Sequence, residues 1–156
     1  MTDFNNILVP TDFSDNARLA LDYACSLAGK YEASLHLLHV IPDPTSAMGI
    51  YEQIGDAIPP DWVDTMTQYS DEHLAELPGE DRKAQNSIIR ITLQGDTFNV
   101  LTEYARDNDI DLIVIGIHGK TASLHQMVGG LADKISRKAP CPVLTVPSED
   151  HQYQQI

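Results

Sequence analysis

Four glycines near the end of the chain have a spacing that suits the binding of a phosphate group. Gly116 and Gly119 follow an apolar run, and Gly129 and Gly130 come after nine further residues. Glycine lets the backbone approach a phosphate closely and adopt positive φ. The N–H groups at a helix start point toward an anion, which the helix dipole also favours. A structural explanation is equally open, in which the first pair forms a strand-end turn and the second pair separates two helices.

The charge distribution favours a small anion in this region. The chain has 10 Lys and Arg against 23 Asp and Glu, a net charge of -13. Gly116 to Cys141, however, holds four basic residues and one acid. The negative balance disfavours DNA or RNA as the main ligand. The local basic excess indicates a place for a small anion, although a solvated helix face explains the same charges.

Other chemistry-bearing patterns do not fit. Gly119-Lys120-Thr121 is not a P-loop, because Val114 stands where that motif requires a glycine. No G-x-G-x-x-G follows the first strand. His36 and His39 are three residues apart on a predicted strand, so they face opposite sides and cannot hold one metal ion.

The pattern of apolar residues predicts five strands separated by helices. Runs that are apolar throughout indicate buried strands, and small or apolar residues at helical spacing indicate the helices. Pro42 to Pro60, with four prolines, is predicted to be a long flexible connection rather than a regular element. The predicted strands are Asn6–Pro10, Ser34–Ile41, Ser87–Leu93, Asp111–Ile115 and Pro142–Val146, and the helices are Ala17–Lys30, Trp62–Leu77, Thr97–Asn108 and Leu131–Lys138.

This alternation predicts an α/β domain with a doubly wound parallel sheet covered on both faces. Ligands of such sheets bind beyond the carboxyl ends of the strands, where the strand order reverses. The first and fourth strands are expected to be neighbours there. Their exits, Pro10-Thr11-Asp12 and the loop from Gly116 to Thr121, are therefore the candidate site.

Length and composition predict one soluble domain. The chain has 156 residues, of which 42% are apolar, and no apolar run approaches the ~20 residues of a membrane span. The domain is predicted to span residues 1–147, followed by a polar tail over 148–156. Cys25 and Cys141 are predicted to be structural thiols. With no recognisable leader segment, the expected location is the cytoplasm.

The chain resembles the universal stress protein family from Asn6 to Val146. The matching segments are NILVPTDFS, LHLLHVI, DIDLIVIGIHGKT and KAPCPVLTVP. The family's nucleotide-binding branch carries G-x2-G-x9-G-[S/T], and Gly116, Gly119 and Gly129 match its glycines, while Gly130 replaces the Ser or Thr. The resemblance implies an adenine nucleotide alpha hydrolase-like fold with five strands in the order 3-2-1-4-5.

The resemblance also implies a nucleotide site. Its adenine side is formed by the exits of the first and second strands, the ribose and phosphates follow the exit of the fourth strand, and further N–H groups come from the next helix. Asp12 is expected to help hold Mg²⁺ through water, with a turn or helix-cap Asp as the alternative. The implied residues are Pro10, Thr11, Asp12, Val40, Ile115, Gly116, His118, Gly119, Lys120, Thr121, Gly129, Gly130 and Leu131.

The implied function is binding of ATP, or of ADP or AMP, with Mg²⁺ by a non-catalytic stress-response or signalling module. Two alternatives remain: a slow ATP hydrolase or phosphotransferase, and a nucleotide-free dimeric module. The second is favoured by the missing hydroxyl at Gly130 and disfavoured by the retained glycines. A homodimer through Pro142–Val146 is expected, because an apolar edge strand invites pairing with a second chain and because the family resemblance implies it.

Overall fold

The computed structural model describes residues 3–80, 87–117 and 130–149. Strands and helices alternate along the chain, except that two helices separate the second strand from the third. The elements are β1 (Asn6–Pro10), α1 (Asp15–Tyr31), β2 (Ser34–Ile41), α2 (Pro44–Gln53), α3 (Trp62–Ala75), β3 (Ile88–Gln94), α4 (Thr97–Asp107), β4 (Leu112–Ile117), α5 (Leu131–Lys138) and β5 (Val143–Pro147).

The strands form one parallel sheet in the order β3-β2-β1-β4-β5. The predicted doubly wound α/β sheet and its strand order are therefore confirmed. From β1 the chain first builds outward through β2 and β3, and it then returns to the other side of β1 to add β4 and β5. The order reverses between β1 and β4, which is where such sheets leave a crevice at their carboxyl ends.

Both faces of the sheet are covered because the central strands are apolar throughout. In β1, Ile7, Leu8 and Val9 are each fully buried. Ile7 and Val9 pack in the cluster that holds residues of α1 and α3, whereas Leu8 packs in the cluster that holds residues of α4 and α5. The period-two alternation of a strand thus places neighbouring residues in two separate cores.

The predicted flexible connection over residues 42–60 is wrong in part, because it contains helix α2. The four prolines lie near the ends of this segment, and Pro44 is the first helical residue, where proline's fixed φ suits a helix and its missing N–H costs nothing. Ala47 of α2 packs with Ile41 and Trp62 in a third, smaller cluster. This burial explains why the segment forms a helix.

The fourth strand is also longer than predicted. It continues through Gly116 and Ile117, which pair with Val146 and Pro147 of β5. The sequence predicts these two residues to lie in the loop at the strand exit, because Gly116 and Gly119 flank it. Pairing with β5 carries the strand past the glycine.

Within the residues that the structure describes, no helix is long and apolar enough to cross a membrane.

Candidate functional site

A cavity of about 520 Å³ opens at the carboxyl ends of β1 and β4. It lies at the point where the strand order reverses, as the sequence predicted. Eight of the predicted site residues line it: Pro10, Thr11, Asp12, Val40, Ile115, Gly116, Gly130 and Leu131. The other five, His118, Gly119, Lys120, Thr121 and Gly129, lie outside the described residues, so their roles stay predictions, as do the ligand contacts of the first eight.

Further lining residues were not singled out from the sequence. Most of them stand on the last residues of a strand or on the first turn of the helix that follows it, so the rule that ligands bind at the carboxyl ends of the strands could have identified them. They are Ser14, Asn16, Ala17, Leu38, His39, Thr97, Ile117, Ala132 and Asp133.

The segment between β1 and α1 is held by its own hydrogen bonds. The Thr11 amide donates to the Leu38 carbonyl at 2.9 Å, which continues the pairing of β1 with β2 by one residue. The Thr11 hydroxyl accepts from the Phe13 amide at 3.0 Å. The Asp12 carboxylate accepts from the Ser14 amide at 3.0 Å. Asp12 is therefore a turn residue, the structural role the sequence allowed, and its carboxylate also lines the cavity.

Gly116 is required by close packing rather than by a turn. A Cβ added there would lie 2.6 Å from the backbone oxygen of Asn16, in the first turn of α1. The residue lies inside β4, where it pairs with Val146, so the strand-end turn that the sequence offered as the structural alternative does not include Gly116. Its absent side chain lets the start of α1 lie directly against the strand at the wall of the cavity.

Gly130 is the N-cap of α5, and it has no side chain with which to cap the helix. Its carbonyl accepts the first intrahelical bond from the Lys134 amide at 3.1 Å. The first N–H groups of a helix have no partner within the helix. The first three residues of α5, Leu131, Ala132 and Asp133, line the cavity. The cavity therefore meets a helix start that favours an anion.

The charged groups that the described part of the chain contributes to the cavity are carboxylates. Asp12 and Asp133 line it, and no Lys or Arg of residues 3–80, 87–117 or 130–149 does. Asp133 also forms an ion pair with Arg137 at 3.2 Å, on the surface of α5. Among the same residues, no group of three or more His, Cys, Asp or Glu side chains is placed to hold a metal ion.

The two histidines of β2 lie on opposite faces of the sheet, as predicted. His36 is hydrogen bonded to the Tyr104 hydroxyl of α4 at 2.8 Å, and His39 to the Ser70 hydroxyl of α3 at 2.8 Å. Burial lowers the pKa of His36 and is the largest influence on His39, whose pKa it also lowers. For His39, nearby Asp12 opposes the shift and His73 adds to it.

The two cysteines, Cys25 and Cys141, are half-buried thiols. Burial raises the pKa of Cys141, with a further contribution from the charge of Asp111. A raised pKa keeps the thiol protonated and therefore a poor nucleophile. This agrees with the structural role predicted for Cys141.

Comparison with known proteins places these features in a family. The model of the universal stress protein family matches residues 3–147. Universal stress protein YxiE of Bacillus subtilis is 30% identical over 151 residues, which cover 92% of this chain and 99% of that protein.

Solved structures of universal stress proteins share the fold. The structure of MJ0577 from Methanocaldococcus jannaschii superposes with a TM-score of 0.74 at 23% identity, covering 95% of this chain and 99% of that one. A universal stress protein in complex with cAMP superposes with a TM-score of 0.60 at 17% identity, covering 95% of this chain and 100% of that one. The universal stress protein from Archaeoglobus fulgidus in complex with dAMP superposes with a TM-score of 0.61 at 18% identity, covering 93% of this chain and 98% of that one. The chain thus has the adenine nucleotide alpha hydrolase-like fold.

Proposed function

Because the chain belongs to the universal stress protein family, we propose that it binds an adenine nucleotide in the cavity between β1 and β4. In this proposal the protein is a non-catalytic module whose contacts with a partner depend on the bound nucleotide. The observation that carries it is one cavity with an apolar wall at one end and, at the other, the start of α5, whose N-cap Gly130 has no side chain.

The size and the apolar wall of the cavity suit a nucleoside. Ligand pockets of small molecules measure about 300–1,000 Å³, and this one measures about 520 Å³. Leu38, Val40 and Ile115 give it an apolar side at the ends of β2 and β4. An aromatic base gains free energy by leaving water for such a surface. Backbone groups at the strand ends are available to recognise its polar edge.

The start of α5 suits the phosphates. Its N–H groups lie at the cavity, and Gly130 leaves room in front of them because it carries no side chain. Lys120, predicted to reach the same anion, would add the positive charge that the described lining lacks. Two structural neighbours bind adenine nucleotides, cAMP in one and dAMP in the other, which supports the class of ligand.

A divalent cation fits this site only together with the phosphates. Mg²⁺ commonly takes one or two protein carboxylates, with phosphate oxygens and water completing its shell. Asp12 and Asp133 are the two carboxylates of the described lining. Bound there, the ion would supply the charge that offsets two carboxylates and a polyphosphate. Asp12 would hold it through water while keeping its bond to the Ser14 amide.

Calorimetry tests the proposal. ATP, ADP, AMP and adenosine are titrated into the purified protein with Mg²⁺, and GTP serves as the matched control for the base. We expect the adenine ligands to bind and GTP to bind at least tenfold more weakly. Absence of heat from all adenine ligands, together with no nucleotide released on denaturation, would overturn the proposal. Turnover of bound ATP, measured as released phosphate, would replace the non-catalytic role by the slow hydrolase.

A further inference from the structure

Four polar side chains form a continuous chain of hydrogen bonds from the cavity wall to the surface, which we call the polar relay. The His39 Nδ1 lies 2.8 Å from the Ser70 hydroxyl. The Ser70 hydroxyl lies 2.7 Å from the Thr92 hydroxyl. The Thr92 hydroxyl donates to the Asp71 carboxylate at 2.8 Å. The relay joins β2, α3 and β3. His39 is 9% exposed and Ser70 fully buried, whereas Asp71 faces solvent.

Counting the protons fixes the direction of the relay. An ionised carboxylate only accepts, so the single hydroxyl proton of Thr92 goes to Asp71. Thr92 then accepts the hydroxyl proton of Ser70. The Ser70 oxygen is left to accept, so the His39 Nδ1 must carry a hydrogen. The relay therefore selects the Nδ1–H tautomer of neutral His39 and fixes the plane of the ring.

The ring so fixed packs against the segment that leads from β1 into the cavity. Its centroid lies 4.6 Å from that of Phe13. Phe13 has a φ of 65°, a left-handed conformation that a bulky side chain adopts only when its surroundings impose it. Tyr69 and His73 of α3 also contact the Phe13 ring, with centroids 5.9 and 5.2 Å away. Thr11 and Asp12 immediately precede this strained residue.

We propose that His39 is a positioning residue for the nucleotide site, held by the polar relay so that its ring keeps Phe13 in place and thereby sets Thr11 and Asp12 at the cavity. This inference rests on the proposed function for its effect on nucleotide affinity, and it stands on the relay and on Phe13 for its effect on the loop. The groups that face His39 are Ser70 and His73 of α3, Thr92 of β3, and Asp12 and Phe13 of the loop. Burial lowers the pKa of His39 and so favours the neutral ring, on which the relay places the hydrogen at Nδ1.

The test changes the relay at Thr92, which does not line the cavity. Thr92→Val removes the hydroxyl with little change in shape, and Thr92→Ser keeps it as the matched control. Without the Thr92 acceptor, Ser70 can donate to the His39 Nδ1, which favours the Nε2–H tautomer. Nitrogen-15 NMR of the ligand-free protein is expected to show Nδ1–H in the unaltered chain and in Thr92→Ser, and a shift toward Nε2–H in Thr92→Val. The amide signals of Thr11 to Ser14 should move in Thr92→Val alone.

Nucleotide affinity supplies the second measurement. Loss of one relay bond should weaken ATP about fivefold in Thr92→Val, a change typical of one internal hydrogen bond, while Thr92→Ser retains the affinity of the unaltered chain. An Nε2–H tautomer in the unaltered chain, or unchanged loop amides in Thr92→Val, overturns the inference. If no nucleotide binds the unaltered chain, the proposed function fails and the loop amides alone decide. Should Thr92→Val not fold, Ser70→Ala breaks the relay one bond closer to His39 and is expected to move the same signals.

Discussion

Gly116 of β4 lies so close to Asn16 of α1 that the strand and the helix touch through their backbones. A Cβ at Gly116 would stand 2.6 Å from the Asn16 carbonyl oxygen and 2.9 Å from its carbonyl carbon. Both are backbone atoms, so no rotation of a side chain relieves the clash. The start of α1 forms one wall of the cavity. Its position therefore requires that the residue at position 116 of β4 have no side chain.

Gly116→Ala is therefore expected to destabilise the protein by about 1–3 kcal/mol, as overpacking of a tight contact does, and to weaken nucleotide binding by displacing α1. Gly49→Ala is the control, because among the described residues nothing beyond its chain neighbours and the backbone of its own helix lies within 4 Å of a Cβ at that position. It should stabilise by about 0.5–1 kcal/mol. Urea denaturation measures the free energy of unfolding of both variants. Equal stability of Gly116→Ala and the unaltered chain would mean that the backbone contact relaxes freely.

This contact also shows what the sequence could and could not predict. The apolar runs predicted β1 and β2 to the residue, because burial on both faces leaves a strong local pattern. Helix α5 was also predicted to the residue, because Ala139-Pro140 ends it. The apolar runs did not predict that Gly116 belongs to β4, since that depends on pairing with Val146 some 30 residues later. Glycine spacing suggested phosphate chemistry for Gly116. The structure adds a packing requirement that spacing cannot reveal.

The candidate site was predicted as far as strand ends allow. Topology placed Thr11 and Gly116 at one edge of the sheet, because parallel strands end there, whereas Val40 and Leu131 were implied by the family resemblance. The spacing of His36 and His39 correctly predicted that they face opposite sides of the sheet. The polar relay of His39 could not be predicted from the sequence, because it joins Ser70 and Thr92, which lie 31 and 53 residues away on separate elements. Side-chain hydrogen bonds of this kind leave no period in the sequence.

The homodimer expected through β5 can be tested at Leu144, a residue of this edge strand that lies outside the core. Leu144 is 37% exposed, whereas Val146 is 4% exposed and packs in the core. Leu144→Glu should give folded monomers in light scattering, because it places charge on the surface offered for pairing. Ile89→Glu on the opposite edge strand β3, 41% exposed, is the control and should leave the dimer intact. A monomeric unaltered chain at micromolar concentration would exclude the dimer.

Acid should weaken the fold through the two histidines of β2. Burial lowers the pKa of His36 and of His39 in the folded chain. The unfolded chain therefore binds more protons than the folded chain, and the free energy of unfolding falls as pH drops below ~6.5, the ordinary pKa of histidine. Each histidine contributes a slope of at most about 1.4 kcal/mol per pH unit.

Urea denaturation between pH 7.5 and 5 checks this dependence, with His36→Gln as the test variant. Gln keeps a polar group near the Tyr104 hydroxyl but does not titrate. The variant should therefore lose one part of the slope while keeping the part due to His39. A slope in the variant as steep as in the unaltered chain, or a His36 resonance that titrates above pH 6.5 in NMR, would contradict the prediction.

Removal of Mg²⁺ should weaken the binding of ATP far more than the binding of adenosine. The described lining offers a polyphosphate two carboxylates, Asp12 and Asp133, and no Lys or Arg. The cation would offset this repulsion, and contacts to a charged group contribute roughly 1.5–3 kcal/mol, or about 10- to 150-fold in affinity. Titrations with EDTA in place of Mg²⁺ should thus show at least a tenfold loss for ATP and none for adenosine. Equal ATP affinity in the two buffers would assign the compensating charge to the protein itself.

Gly130→Ser should tighten ATP binding more than adenosine binding. Gly130 has a φ of −59° and a ψ of 166°, a conformation open to any residue, so serine fits without backbone strain. A hydroxyl there can donate to a phosphate, with the same roughly 10- to 150-fold range for a bond to a charged group. As an N-cap, serine exceeds glycine by only a few tenths of a kcal/mol, so thermal stability should change little.

Calorimetry with ATP and adenosine measures the effect, and Gly130→Ala is the matched control that adds a Cβ without a hydroxyl. A gain for ATP in the serine variant that the alanine variant lacks would assign the contact to the hydroxyl. The opposite result is equally informative, because the serine oxygen can instead accept the N–H groups of the first turn of α5 and compete with the phosphate for them. Weaker ATP binding by Gly130→Ser, with a higher melting temperature, would therefore show that the open helix start at Gly130 is itself the phosphate site and that glycine is the better residue there.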